Sequence, residues 1–285
     1  MGFISYTEDV ADLMERHRVN NHLFADDQQQ YTSAPVTEVQ ATSRRLSDCV
    51  ADVINWCAPR RLQLNVLKTE LMWTGTRQRF QQLSGADITF TVGSDVIKPV
   101  HTVRDLGVNI DDKLTMKQHV AKVAGACFYH LRRLRQIRRH VSNGLMAQLI
   151  YAFVTSRLNY CNSVLACLPA CTITPLQRVQ NAAARLLLNK RKTDHITDGL
   201  KDLHWLPITF RIQYKLCLLM HLIKVGNCPS YLKDMVSLSS SVRTRSGLRS
   251  ADTDSFTDVV SRSRTKLGER AFSSAPWTRR LEQTA

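Results

Sequence analysis

The hydrophobic pattern of this chain changes its period once, near residue 115, and that change bounds the folds open to it. Up to Leu114, short runs alternate with a period of two and share the sequence with one helical stripe. Beyond it only helical spacing remains. Val36, Val39, Leu46, Val50, Val53 and Cys57 fall on one stripe between Pro35 and Pro59, which predicts a helix over 36–57. Leu62 to Val66 alternates like a half-buried strand. Ile88, Phe90 and Val92 alternate before the turn residues Gly93-Ser94-Asp95, and Val96 to Val100 returns, which predicts a hairpin. Leu106, Val108 and Ile110 predict one more short strand.

In the second part, Phe128, Leu131, Leu134 and Val141 share a helical face. Helices are expected over 144–157 and 175–188, the latter with Thr174 as N-cap, Pro175 at its first position and Gln177 completing a capping box. A further helix opens at Pro207 and stops at Gly226. From about residue 237 the composition turns to Ser and Arg and reads as a flexible tail. The fold class is therefore α+β, with mixed structure over 1–115, helices over 116–236 and a tail over 237–285.

Charge divides the chain at the same place. Residues 1–116 hold 12 Lys/Arg and 15 Asp/Glu, whereas 117–285 hold 27 and 9, so a net charge of +15 is carried by the second part. Such asymmetry points to a polyanion partner. Seven Lys/Arg and no acid lie in 117–139, on the side of the helix away from Phe128, Leu131 and Leu134. Lys122, Arg132, Arg133, Arg135, Arg138 and Arg139 are the candidate contacts to a nucleic-acid backbone.

Other classes are set aside by composition. No apolar run approaches the ~18 residues of a membrane span, and the start of the chain carries no basic leader followed by an apolar block. Eight scattered cysteines in 285 residues do not form a disulfide framework, and Cys161, Cys167 and Cys171 lack zinc spacing. Cys217, Cys228 and Trp205 read as core residues, and His195 and His204 as packed or capping side chains. The chain is expected to be intracellular, nuclear or cytoplasmic.

The densest chemistry is His22-Leu-Phe24-Ala-Asp26-Asp27-Gln-Gln-Gln-Tyr31. Two adjacent carboxylates behind an apolar triplet fit a hairpin turn, and such a pair suits magnesium, which takes oxygen ligands and keeps water and phosphate in its shell. Phe24-Ala-Asp26-Asp27 resembles the aromatic-x-Asp-Asp signature of reverse transcriptases. Leu64-Asn65-Val-Leu-Lys68-Thr69-Glu70 is similar to the next palm block of non-long-terminal-repeat retrotransposons, and Val103-Arg-Asp-Leu-Gly107-Val-Asn-Ile-Asp111 to the primer-grip hairpin. Further along, Ser156-Arg-Leu-Asn-Tyr-Cys161-Asn-Ser, Leu176-Gln-Arg-Val-Gln-Asn181-Ala-Ala-Ala-Arg185, Asp194-His195-Ile-Thr and His204-Trp-Leu-Pro207-Ile resemble the region after the palm in jockey-like elements. The late Arg264-Thr-Lys-Leu-Gly-Glu-Arg-Ala-Phe272 does so too. The resemblance runs in order along nearly the whole chain.

The resemblance implies a partial palm over 1–115, a thumb-like helical domain over 116–236, and a role in extending a DNA primer on an RNA template by two-metal nucleotidyl transfer with Mg2+. It implies Asp26 and Asp27 as magnesium ligands, Phe24 beside the primer end, Lys68 at the departing pyrophosphate and Gly107 in the tight primer-grip backbone. Only 25 residues precede Asp26, so the upstream palm carboxylate and the fingers are expected to be missing and the chain alone to be inactive. The competing expectation is a non-catalytic nucleic-acid-binding remnant, which the basic half supports without any chemistry.

Overall fold

The computed structural model describes residues 6–83, 88–93 and 95–234. The chain divides into two compact units, Met1–Leu114 and Thr115–Ala285. In the first, helix α1 (Val10–Arg16) buries Val10, Leu13 and Met14. Strands β1 (Asn20–Phe24) and β2 (Asp27–Tyr31) form an antiparallel hairpin. A 3-10 turn at Val36–Glu38 leads into the long helix α2 (Val39–Cys57), whose Leu46, Cys49, Val50, Val53 and Cys57 spread one apolar stripe into the core. A short helix α3 (Arg77–Gln82) starts at Thr76, whose hydroxyl accepts from the Arg79 amide. Two more hairpins follow, β3 (Phe90–Val92) with β4 (Asp95–Ile97), and β5 (Thr102–Asp105) with β6 (Val108–Asp111).

Among the described residues the three sheets are separate two-stranded ribbons. A lone ribbon is marginal in water, and here tertiary burial holds two of them. Leu23 of β1, and Phe90 and Val92 of β3, insert into the α1–α2 core. Outside the apolar core, the Asp9 carboxylate accepts from Arg60 Nη2 at 2.5 Å and Trp56 Nε1 at 3.1 Å, and the Arg60 guanidinium lies 4.2 Å from the Trp56 ring centre.

Two expectations for this unit are corrected. Leu62 to Val66 does alternate in burial, and Leu62, Leu64 and Val66 pack on the core. Among the described residues no strand pairs with it, however, and the segment ends in a 3-10 turn at Val66–Lys68. Alternation reports an extended chain over a core, and a strand needs a partner as well. Leu106 is not in a strand but in the β5–β6 turn. Its φ of +41° and that of +85° at Gly107 are both positive, as a type I′ hairpin turn requires. Glycine adopts that backbone freely, whereas leucine is strained there, by about 1–2 kcal/mol.

The second unit is helical among its described residues. α4 (Lys117–Ile137) continues into a 3-10 turn at Arg138–His140. Then come α5 (Asn143–Ile150), a π turn at Tyr151–Thr155, α6 (Ser156–Asn159), α7 (Ala170–Leu187), α8 (Thr197–Asp202), α9 (Ile208–Val225) and α10 (Ser230–Asp234). α4 packs along α7. It buries Val120, Ala124, Cys127, Leu131 and Leu134, the i, i+4, i+7 spacing of a single face. Phe128 lies one residue off that face and is 38% exposed, so the sequence expectation for it is corrected. In the π turn one backbone carbonyl gains a side-chain donor, since Cys127 Sγ donates to the Val154 carbonyl at 3.9 Å. Burial pushes the Cys127 thiol up to about 11, so it remains a protonated donor.

The capping box at Thr174 is overturned. α7 starts five residues earlier, at Ala170, and Pro175 lies inside it. Thr174 Oγ1 donates back to the Ala170 carbonyl at 2.8 Å. An interior proline costs roughly 3 kcal/mol. Burial of Ile173 and Leu176 on either side of it, at about 1.5–3 kcal/mol each, offsets that cost. α9 ends as expected. Gly226 has a φ of +78°, its amide donates to Ile223 O, and the Asn227 amide donates to Leu222 O, which is a Schellman motif. The Ser/Arg-rich tail lies outside the described residues, and no helix among the described residues is long and apolar enough to cross a membrane.

His119, in the first turn of α4, is buried at 5% exposure. Desolvation, assisted by Lys122, lowers its pKa below the usual imidazole value of 6.5. Below pH 6.5 the unfolded chain therefore binds a proton that the folded one refuses. We expect stability to be full above pH 6.5 and to fall as the pH drops toward the folded value, by at most about 1.4 kcal/mol per pH unit. His119→Gln should flatten that dependence in urea melts taken across pH. An unchanged slope would show that His119 is not the group responsible.

Candidate nucleic-acid interface

The Asp-Asp motif folds into the hairpin that its spacing implies. Phe24 pairs with Asp27 across a two-residue loop, Ala25 and Asp26. Ala25 has a φ of +54°, whereas Asp26 is not among the positive-φ residues, the signature of a type II′ turn. Leu23 points into the core, so its cross-strand alternates His22, Phe24, Asp27, Gln29 and Tyr31 share the outer face. Asp26, Asp27 and Phe24 are all exposed. Gln29 Nε2 donates to Asp105 Oδ1. That bond joins the Asp-Asp hairpin to the hairpin turned at Leu106-Gly107, so two of the blocks singled out in the sequence are neighbours in space.

The rest of the expected constellation does not assemble. Lys68 closes the 3-10 turn at Val66–Lys68, is exposed, and makes no ion pair with either aspartate. Among the described residues no cluster of three His, Cys, Asp or Glu is able to hold a metal ion. Two ions in a transfer site need carboxylates from more than one segment to bridge them, and one exposed Asp-Asp turn does not provide that. The donor set present does not fit a two-magnesium centre.

The acid-free basic stretch is longer than 117–139. From Lys113 to Thr193 the chain holds fourteen Lys or Arg and no Asp or Glu. On α4 and its 3-10 extension Lys117, Lys122, Arg132, Arg133, Arg135 and Arg139 are exposed, spread over a helix of about 30 Å. Arg138 has another task. Its Nε donates to Leu186 O at 3.0 Å, Nη2 to Leu187 O at 3.2 Å and to Asn143 Oδ1 at 2.5 Å, and Nη1 to Val141 O at 3.5 Å. It caps the C-terminus of α7, where helix carbonyls lack intrahelical partners and the dipole favours a cation. As a structural clamp it is removed from the set of backbone contacts.

The later blocks meet one another through side-chain to backbone bonds. Gln177 Oε1 accepts from the Ile208 amide at 2.9 Å, and so caps α9 instead of α7. Gln180 is buried at 1% exposure and donates to Leu206 O at 2.8 Å. Arg185 Nη2 donates to Asp194 O, and Arg211 Nη1 to Asn159 Oδ1. Burial lowers the Arg211 pKa, opposed in part by Tyr151. These residues hold α6, α7 and the α8–α9 connection together, and their role is structural. Trp205 packs on Ala184, Ile196 and Leu200 as expected. His195 and His204 are exposed, so neither is packed, but His204, at a φ of +53°, takes the capping position after α8, where its amide donates to Lys201 O and the Trp205 amide to Leu200 O. Cys217 and Cys228 are half-buried.

Two features of α4 carried no sequence signal. Tyr129 is 56% exposed at the centre of the cationic face. Gly125, one turn earlier, lies mid-helix with nothing within 4 Å of where a Cβ would stand. Mid-helix glycine costs about 1 kcal/mol relative to alanine, and neither a turn nor close packing accounts for it here. No family model, curated protein or solved structure matches the chain.

Arg138→Ala should lower stability by about 2 kcal/mol, the usual scale for hydrogen bonds to a charged group. Arg132→Ala, Arg133→Ala and Arg135→Ala should each change it by less than about 0.5 kcal/mol. Thermal melts of the four variants check this, and equal effects would contradict the division of labour.

Proposed function

We propose that this chain corresponds to the end of the palm and the thumb-like domain of a jockey-like, non-long-terminal-repeat reverse transcriptase. Its own residues serve as a sequence-independent grip on the phosphate backbone of an RNA template and DNA primer. The family reading rests on the ordered sequence blocks. The adjacency of the Asp-Asp and Leu106-Gly107 hairpins supports it. The grip rests on one observation, the fourteen cations without an acid from Lys113 to Thr193, several of them displayed on the open face of α4.

Cations in a stretch without a carboxylate can offer charge to an external anion, and each phosphate they neutralise releases a condensed counterion. Such contacts set position and carry no base information. Gly125 supports close approach, since the missing side chain opens the helix surface between Lys122 and Tyr129. Nucleotidyl transfer would require a carboxylate from a further segment beside Asp26 and Asp27, so the chain by itself is assigned binding and not polymerisation.

Two measurements test this. The triple variant Arg132→Gln, Arg133→Gln, Arg135→Gln should bind a short labelled RNA–DNA hybrid roughly tenfold or more weakly at fixed low salt, while Asp26→Asn should bind like wild type. In primer extension with magnesium and deoxynucleotides, wild type and Asp26→Asn should both give no product. Synthesis abolished by Asp26→Asn would overturn the binding-only reading, and undiminished binding by the triple variant would overturn the grip.

Gly125→Ala should raise stability by about 0.5–1 kcal/mol while weakening binding to the same hybrid. A gain in stability with unchanged affinity would remove Gly125 from the interface.

A further inference from the structure

α4 and the π turn present aromatic rings that the backbone grip does not use. Tyr129 is followed at three and four residues by Arg132 and Arg133, the spacings that set side chains next to each other on a helix. Its ring meets that of His130 edge-on, with centroids 5.5 Å apart and planes at 76°. His130 in turn stacks on Phe153, at 5.2 Å and 20°. Three rings therefore connect two elements, and the outer two stay in solvent, Tyr129 at 56% and Phe153 at 42% exposure. The π turn sets this arrangement, because the wider turn buries Val154 and Thr155 while Tyr151 and Phe153 face outward. Turns of that kind recur at functional sites.

Exposed rings whose orientation is already fixed by mutual contact lose little freedom when another flat ring is laid on them. Guanidinium groups beside them supply both charge for phosphate and a second stacking surface. The cores of protein-docking interfaces are poor in charge, and this surface is the opposite: Arg132 and Arg133 follow Tyr129 by three and four residues in a stretch without a single acid. A duplex hides the faces of its bases, so rings presented in this way fit unpaired nucleotides.

We propose that Tyr129, His130 and Phe153 form a stacking platform for unpaired nucleobases, with Arg132 and Arg133 holding the flanking phosphates. The site would take single-stranded RNA or DNA. This inference rests on the backbone grip and adds to it a preference for single strands that charge alone does not produce. Base stacking on an aromatic side chain is sequence-tolerant, because every base offers a face.

The test uses the full chain with labelled oligouridylate and oligothymidylate as unpaired probes and a blunt duplex of equal length as the paired one. Tyr129→Ala should bind both unpaired probes roughly tenfold more weakly, with the salt dependence and the duplex affinity unchanged. Tyr129→Phe should bind like wild type. Phe153→Ala gives a second reading, provided that its thermal melt matches wild type. Equal loss on paired and unpaired probes, or no loss on either, overturns the platform while the grip stands. If the Arg132→Gln, Arg133→Gln pair loses affinity for none of the probes, the grip fails, and the platform with it. Loss confined to the unpaired RNA or DNA probe supports the platform and identifies its strand.

Discussion

A helical unit with thirteen cations and no carboxylate from Thr115 to Thr193 has no ion pairs available within that stretch, so its charged side chains must be accommodated in another way. The structure does this by directing several arginines at helix ends and loop carbonyls. Within the stretch Arg138 donates to Leu186 O and Leu187 O and Arg185 to Asp194 O, and beyond it Arg211 donates to Leu206 O. A carbonyl at a helix C-terminus is an unpaired acceptor in a negative local field, and a guanidinium with several donors meets more than one at once. The arrangement separates two kinds of arginine. Those turned inward are part of the scaffold. Those on the open side of α4 are exposed in a stretch without a carboxylate, and the apolar packing of α4 on α7 holds them in place.

The first unit rests on a different constraint. Its strands form three separate ribbons, and none has enough partners to be stable alone. α2 provides what the sheets lack, a continuous apolar stripe into which Leu23, Phe90 and Val92 fit. The β1–β2 ribbon also carries glutamines, and Gln30 Oε1 is buried without a hydrogen-bond partner among the described residues. A buried acceptor left unpaired costs free energy. The Asp-Asp turn at the tip of that ribbon is thus well formed and exposed, with Gln29 anchoring it to the neighbouring hairpin.

Elements defined by burial of a stripe or by a turn with a fixed residue requirement were legible in the sequence. The helix over 36–57, the hairpins at Asp26-Asp27 and Gly93, and the end of α9 at Gly226 all follow from local chemistry. The misreadings share a cause, because each needed knowledge of a partner distant in sequence. Leu62 to Val66 alternates correctly but finds no strand to pair with. Thr174, Pro175 and Gln177 have the composition of a helix start, yet burial of Ile173 and Leu176 accompanies a start of α7 ahead of them, at Ala170, and Gln177 caps a helix 31 residues away. Arg138 looked like its neighbours until the α7 carbonyls came within reach. On α4, charge was visible in the sequence, whereas the stacking of His130 on Phe153 involves a π turn that periodicity does not report.

Together these points separate what holds the helical unit from what it offers to a partner. Apolar stripes and carbonyl-directed arginines build it, and the remaining cations face outward with nothing on their own stretch to neutralise them. The most direct measurement is the equilibrium affinity of the wild-type chain for two duplexes of unrelated sequence over a range of salt concentrations. The account predicts a straight line of log affinity against log salt for both duplexes, with the same steep slope, roughly −0.9 for each phosphate engaged. A flat line, or an affinity that follows the sequence and not the salt, would contradict it.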